Sequence, residues 1–544
     1  MSIVLFLTIT TSMNAQISGK VFRDNNGNGV RDSSIIIVEP YLQGITITAF
    51  PISGSTQVAN SSVSGAYSFT GLTLPVRLEF TTFGNGYFSG PQTTNSASSV
   101  QFYSSNTTVA NFGIINTEFY CQENPPIAVS FTPGTSNFIS GLSSPSGIRL
   151  YSLSGLTTST NEFPTTAVIM PSTEVATRAQ VGNVNGLKWR SNTKTIFASA
   201  YARANDGSFG AGDGIGPSGL GAIYQITNGV VSTFTTISNV GTFTGSVSEV
   251  GKVGIGGIAI SSNQNTLFAV NMFSKKLILI PINDNPISAG TQVEVTLPSP
   301  TSCSGTELHP FGIETYKNKV YIGMVCGGPT TSALRAYVYS YDGISFNLEL
   351  DIPMNYTRTD DPDNNNTNNS ANEINHKAII WEDSPPVASY DNTTSATATD
   401  RARFAPMLTD IIFHKDNMEL GFRSRLSDQI VNAEWTIGGE ILHACGTVNG
   451  AVTTWQIENN GKCNGDSTIL PPPIIDPWNA NISARSTSRG PGGYEYFWGD
   501  NGFEGEMAQG SLALFPGSDV FLTTQVDAIG HRSQHGLAAI NFVS

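Results

Sequence analysis

Charge is scarce in this chain: only 12% of its 544 residues are Asp, Glu, Lys or Arg. What little there is leans acidic, 41 carboxylates against 27 basic residues for a net −14, and no basic stripe is present. That argues against nucleic acid as a partner. An acidic surface suits divalent cations better than phosphates. Cysteine is also sparse, five residues in all, so disulfides do not carry the fold. In an oxidising compartment Cys303 would pair with Cys326 and Cys445 with Cys463, each pair spanning about one hairpin and leaving Cys121 over. The alternative is five thiols buried as small hydrophobes. Long apolar runs are missing as well. No stretch approaches the roughly 18 apolar residues of a spanning helix, so no membrane span is expected.

Abundant Gly, Ser, Thr and Asn take the place of charge, as in an extracellular β protein with many turns. At this length, two to four domains are possible. Residues 1–16 pair an apolar stretch with an Ala15/Gln16 junction and read as a secretory signal peptide without the usual basic start; a first β-strand is the alternative.

One local pattern points to a metal. In Asp24-Asn-Asn-Gly-Asn-Gly-Val-Arg-Asp32, Asp24, Asn26, Asn28, the Val30 carbonyl and Asp32 fall at alternate positions. Ca²⁺ takes six to eight oxygens in a forgiving geometry, and a tight loop supplies them at this spacing. Gly29 falls where such a loop needs φ > 0. The twelfth position, where a bidentate acid belongs, is Ile35; Glu39 fills the gap if Ser33 to Val38 form an insertion. An ordinary Asn/Gly-rich turn is the competing reading.

The flanking segments are Ile17-Ser-Gly-Lys-Val-Phe-Arg23, Gly44-Ile-Thr-Ile-Thr-Ala-Phe50, Ser64-Gly-Ala-Tyr-Ser-Phe-Thr-Gly-Leu72, Val76-Arg-Leu-Glu-Phe80 and Thr108-Val-Ala-Asn-Phe-Gly113. Together with the loop they resemble the SdrD B-like (Cna-B-like) repeat of bacterial surface proteins. The resemblance covers 17–114. It implies a Greek-key β-sandwich that binds Ca²⁺, with Glu39-Pro40 matching the family's Glu-Pro segment and Ser62 standing where the family has a second Asp.

Residues 115–139, with Pro125-Pro126, read as a linker. From 140 to 544 short β-branched and aromatic runs recur between polar turns. Asn185 to Ala200 with Gly221 to Ile226, Ile255 to Val270 with Lys276 to Pro281, and Pro310 to Gly323 with Ala336 to Tyr341 repeat one scheme. Weaker copies run from Leu408 to Phe422 and from Gly510 to Thr523, and Ile148 to Leu153 is a further candidate. Recurring three- or four-strand units are the mark of a β-propeller, here of six or seven blades. This region is similar to one in large secreted surface proteins of the Bacteroidetes, on Gly216-Pro-Ser-Gly-Leu-Gly-Ala-Ile-Tyr224 and His309-Pro-Phe-Gly312. That resemblance implies no catalytic residues, and it implies a chain that continues past Ser544. The fold class is therefore all-β, an N-terminal Greek-key sandwich followed by a propeller.

Chemistry is harder to find. The Gly-rich run from Gly207 to Gly221 lacks Gly-Lys-Ser/Thr and joins strands, so it is no phosphate loop. His531 and His535 lack the Glu and the helix of a zinc motif. The polar run in 357–394 is expected as a loop. Glu495, Asp500, Glu504 and Glu506 lie among Tyr494, Tyr496, Phe497 and Trp498, a composition that serves a turn, a glycan contact or a carboxylate pair for glycoside hydrolysis. The sequence reading is a secreted or cell-surface structural and adhesive protein, not an enzyme, with Ca²⁺ in its sandwich and an extracellular glycan or surface protein as partner. The alternative is a propeller enzyme acting on polysaccharide with the sandwich as accessory module; a pure spacer is a third.

Overall fold

Alternation of apolar and polar residues in the first hundred positions builds two sheets that share one core. In a computed structural model the chain is described at 15–24, 27, 29–31, 39–83, 87–91, 98–116, 125–130, 146–152, 172–191, 193–203, 214–303, 307–317, 319–356, 378–383, 404–414, 416–429, 439–449, 452–458, 501–502, 505–506, 508–514, 520–526 and 535–541. Those residues are all-β apart from single helical turns. Chain contacts divide them into two units, 1–125 with 515–520, and the remainder.

The first unit contains β1 (Ala15–Arg23), β2 (Thr46–Pro51), β3 (Gln57–Asn60), β4 (Ala66–Leu72), β5 (Val76–Thr81), β6 (Tyr87–Ser89), β7 (Val100–Tyr103) and β8 (Phe112–Asn116). They form sheets of order β4-β1-β8-β6 and β3-β2-β5-β7. Ile17, Val21, Phe69, Phe112 and Ile114 from the first sheet pack against Ile47, Ala49, Leu78 and Phe80 from the second. Every second residue of β5 is buried, Val76, Leu78 and Phe80, while Arg77 and Glu79 face out. That is the alternation of a sheet with one wet face.

The second unit is a series of six sheets. The first holds β9 (Pro126–Ser130), β10 (Ser146–Ser152) and β11 (Ser172–Thr177), followed by the one-turn helix α1 (Arg178–Val181). Part of the stretch expected as linker, Pro126–Ser130, is thus a strand of this unit, paired with β10. The second sheet is a meander of β12 (Val184–Arg190), β13 (Thr195–Ala200), β14 (Ala222–Thr227) and β15 (Val230–Thr236). The third holds β16 (Ile255–Ile260), β17 (Thr266–Asn271), β18 (Lys276–Asn283), β19 (Ser288–Ala289) and β20 (Val293–Thr296). The fourth is β21 (Leu308–Tyr316), β22 (Lys319–Cys326), β23 (Arg335–Tyr341) and β24 (Phe346–Pro353). The fifth is β25 (Pro406–His414), β26 (Asn417–Ser424), β27 (Glu440–Asn449) and β28 (Val452–Ile457), with the one-turn helix α2 (Leu426–Gln429) after β26. A short hairpin, β29 (Asn501–Gly502) and β30 (Gly505–Glu506), precedes the sixth sheet of β31 (Ala508–Leu514), β32 (Val520–Val526) and β33 (His535–Asn541).

Each neighbouring pair of sheets has its own core. Phe197 and Ile223 meet Ile258 and Leu267; Ala259 and Leu277 meet Ile313 and Ile322. Phe311, Tyr321 and Val338 meet Leu408, Ile411 and Leu420, and Ile412 and Ile441 meet Leu512 and Phe521. A sheet covered on both faces has no polar side, so β13 is buried at all six positions. The expected Cys303–Cys326 disulfide forms with its Cα atoms 5.8 Å apart. Cys445 is also disulfide-bonded, with Cys463 outside the described residues, as is Cys121.

The first strands of the second to sixth sheets lie side by side, and each slips register against its own second strand, at 184/187, 255/258, 310/313, 408/410 and 508/512. Such a bulge adds twist and tilts the strand. Glycine occupies the slip in most of them. A Cβ on Gly186 would stand 2.9 Å from the Ile258 nitrogen, one on Gly256 2.7 Å from the Phe311 oxygen, and one on Gly312 2.9 Å from the Leu408 oxygen. Backbone meets backbone there, and no side chain fits between. Gly256→Ala should therefore destabilise the chain by about 1–3 kcal/mol, as overpacking does, read from denaturant midpoints. Ile344→Ala, at a site 92% exposed, should stay within about 0.5 kcal/mol.

Candidate functional site

The same row of first strands carries the charges. Lys188 on β12 and Glu314 on β21 stand two residues beyond the slip glycines Gly186 and Gly312, with β16 between their strands. Lys188 Nζ nevertheless reaches Glu314 Oε2 at 2.5 Å, past the intervening strand. Their side chains remain 25% and 20% exposed, so water reaches the pair. Asp410 on β25 occupies the place that Gly312 holds in the fourth sheet: Asp410 pairs with Gly421 where the Phe311-Gly312 slip lies opposite Gly323. Its carboxylate points at the next strand, where Oδ2 accepts the Leu512 N–H at 2.9 Å, and Oδ1 accepts the Ile411 N–H at 2.9 Å.

Burial pushes the Asp410 carboxyl up to about 6, against the pull of Lys188 and of the Leu512 N–H, with Glu314 adding to the rise. Burial alone would lower the Lys188 ammonium, but Glu314 and Asp410 beside it outweigh that and hold it above the ordinary lysine value. The cluster therefore contains a carboxyl that exchanges its proton in the mildly acidic range, and a second carboxylate paired with a fixed cation. Neither Lys188, Glu314 nor Asp410 was singled out from sequence. The available signal was a charge two residues after the slip glycine, Gly-Leu-Lys188 and Gly-Ile-Glu314, where the third sheet has Gly-Ile-Ala259.

A second polar network sits where β12 begins. Asp428 of α2, fully buried, accepts from Tyr201 Oη at 2.7 Å and pairs with Arg203 Nε at 3.0 Å and Arg423 Nη2 at 2.7 Å. Arg423 also donates to Asn185 Oδ1 at 3.2 Å. Arg425 donates to the carbonyls of Val250, Glu382 and Ser248 at 2.8, 2.8 and 2.9 Å. This network spends its donors on protein acceptors and fixes α2.

In the first unit, Asp24 and Glu39 are both fully buried. The Phe22–Tyr41 bridge and the bond from Arg23 N to the Pro40 carbonyl, 2.9 Å, bring Glu39 opposite Asp24. Gly29 adopts φ +71°, as the loop reading requires, and its N–H donates to Asp24 Oδ2 at 2.8 Å. Val30 is described and exposed. Asn26, Asn28 and Asp32 lie outside the described residues. Among the described residues no three His, Cys, Asp or Glu side chains group around a metal position. Glu495, Asp500, Glu504 and His531 are outside as well, while Glu506 pairs with Asn501 in the β29–β30 hairpin and His535 opens β33. No helix among the described residues is long and apolar enough to cross a membrane.

No family model matches the chain. It is similar to Colossin-B of Dictyostelium discoideum, 26% identical with 94% of this chain and 13% of that protein covered. Colossin-A of the same organism is 26% identical over 64% of this chain and 3% of its own length. The chain thus spans a small part of these relatives. Among solved structures it is similar to the periplasmic gluconolactonase of Pseudomonas aeruginosa, 9% identical, with a TM-score of 0.30 over 92% of this chain and 97% of that one. A luciferin-regenerating enzyme is 6% identical, with a TM-score of 0.26 over 67% and 95%. The expectation that the chain is not an enzyme is corrected here, because enzymes stand among the structures it is similar to.

The raised Asp410 has a signature in stability. Its folded pKa lies above the unfolded aspartate value, so its contribution is fully present below about 4 and is lost as pH rises through about 6. Relative to Asp410→Asn, wild type should lose on the order of 2 kcal/mol between pH 4 and pH 7. Urea midpoints of the two proteins across that range check this. Parallel curves would refute the raised carboxyl.

Proposed function

We propose that the chain is an extracellular protein whose propeller-like unit, a ring of six blades, acts on polysaccharide in its central channel, with a Ca²⁺-stabilised SdrD B-like sandwich as accessory module. The observation that carries this reading is the Lys188–Glu314 pair made between two first strands, with the Asp410 carboxyl on a third near enough to feel both charges. Hydrolysis of a glycosidic bond needs one carboxylic acid to protonate the leaving oxygen and one carboxylate to act as nucleophile or base. Asp410, pushed up to about 6 by burial, supplies the acid, and Glu314, held by Lys188, the carboxylate. The Lys188–Glu314 pair keeps contact with water, so a substrate can reach it. The Cys303–Cys326 disulfide supports an oxidising compartment outside the cytoplasm.

In the sandwich, Asp24, Asn26, Asn28, the Val30 carbonyl, Asp32 and Glu39 would hold Ca²⁺. Two buried carboxylates placed opposite each other, Asp24 and Glu39, offer the oxygen ligands that a hard divalent cation takes. The ion would stiffen the loop between β1 and β2 and couple metal binding to folding of this unit.

Two measurements test the reading. Glu314→Gln should lower the release of reducing ends from a polysaccharide panel at least a hundredfold while leaving the thermal midpoint within a few degrees. Absence of any release by wild type, or an undiminished rate in the variant, would sink the catalytic part. For the sandwich, chelation should speed proteolysis between Gly19 and Ile45, and added Ca²⁺ should restore protection. Equal cleavage with calcium and with chelator would remove the metal.

A further inference from the structure

The outer face of the sheet β3-β2-β5-β7 carries side chains that its core does not use. Register sets them in rows across the strands. Val58 pairs with Thr48, Thr48 with Glu79 and Glu79 with Val100, while Phe50 pairs with Arg77 and Arg77 with Phe102. Phe102 is 74% exposed and Val58 64%. The Arg77 guanidinium lies over the Phe50 ring at 4.5 Å and pairs with Glu79 at 3.0 Å, with both charged side chains open to water. The result is a flat strip in which an aromatic ring, a planar cation stacked on a second ring, and a carboxylate stand beside one another.

We propose that this strip is a binding platform for an extended polysaccharide chain. It rests on the reading above only in taking polysaccharide as the ligand class. The chemistry matches a sugar: a pyranose offers a flat face of C–H groups to Phe102 and a rim of hydroxyls that both accept from Arg77 and donate to Glu79. Strands lie about 4.8 Å apart, so Phe102 and Phe50, two strands apart, are about 10 Å from each other. That is about the length of two pyranose rings in an extended chain. A second copy of the protein fits less well. Four strands and three rows make a face on the order of 300–400 Å², against about 800 Å² per partner in a stable interface. Every apolar side chain on it also has a charge or a threonine as its cross-strand neighbour, which leaves no dry centre.

Electrophoresis of the full chain through gels containing hydroxyethyl cellulose, xylan or dextran tests the platform. Wild type should be retarded in at least one of the three gels. Phe102→Ala, an exposed change whose folding is confirmed by an unchanged thermal midpoint, should weaken that retardation at least tenfold. Arg77→Ala should weaken it too, and Glu314→Gln should leave it intact. No retardation of wild type in any gel, or equal retardation of Phe102→Ala, overturns the proposal. A Phe102-dependent dimer in size-exclusion chromatography overturns it in favour of a second copy. Phe102-dependent retardation without any turnover upholds the platform and separates it from the channel chemistry, which would then fail alone.

Discussion

Backbone-to-backbone contact between successive first strands is the constraint on which the second unit depends. At Gly186, Gly256 and Gly312 the next strand stands where a β-carbon would go. The register slips at those positions turn each strand enough for its successor to lie alongside. Everything outward follows from that placement. Each meander leads away from that row of strands, and the sheet cores fill the space between neighbouring sheets. Hydrophobic burial supplies the driving force, but the glycines decide how closely the strands may converge, and therefore what lies in the middle.

With so few charges in the chain, the ones that are buried are placed with partners. Asp428 is met by two guanidinium groups and a phenol, and Arg425 by three carbonyls. A buried charge left alone costs several kcal/mol, so such groups are kept with partners. Around α2 those partners are protein groups, and the network works as a fastener. Around Lys188 it differs, because the pair keeps contact with water and a third group, Asp410, sits near its own protonation point. The contrast separates a structural cluster from a chemical one in the same unit.

Much of the architecture was legible because it is local. Strand pairs such as Leu187 to Ala198 and Ile313 to Ile322 announce themselves through apolar residues and a polar turn, and the Cys303–Cys326 spacing matched one hairpin. The strand at Pro126–Ser130 was missed since its partner among the described residues, β10, follows a long intervening segment. The Lys188 cluster was illegible for a stronger reason. Lys188, Glu314 and Asp410 are far apart in sequence, and each sits in a segment that reads as ordinary strand. Only the convergence of the first strands joins them. The aromatic and acidic run at 495–506 drew attention by being contiguous, and most of it lies outside the described residues. In the first unit the spacing from Asp24 called for a left-handed residue at Gly29, and Gly29 has that conformation, while Asn26, Asn28 and Asp32 lie outside the described residues.

Asp410 stands in a repeat position that its counterpart in the fourth sheet fills with glycine, and the next strand accommodates it by offering the Leu512 N–H. An acid here is thus a departure from the glycine of the other first strands. The fifth sheet keeps its close contact with the next strand through Gly421 and Gly510, and carries in addition a group with an unusual proton affinity. Repeat architectures permit this, since one unit can deviate while its neighbours hold the geometry. Restoring glycine at 410 would make the row of first strands more regular and remove the one carboxyl there with a raised proton affinity. Seen so, the most unusual proton affinity among these strands comes from an irregularity of the repeat.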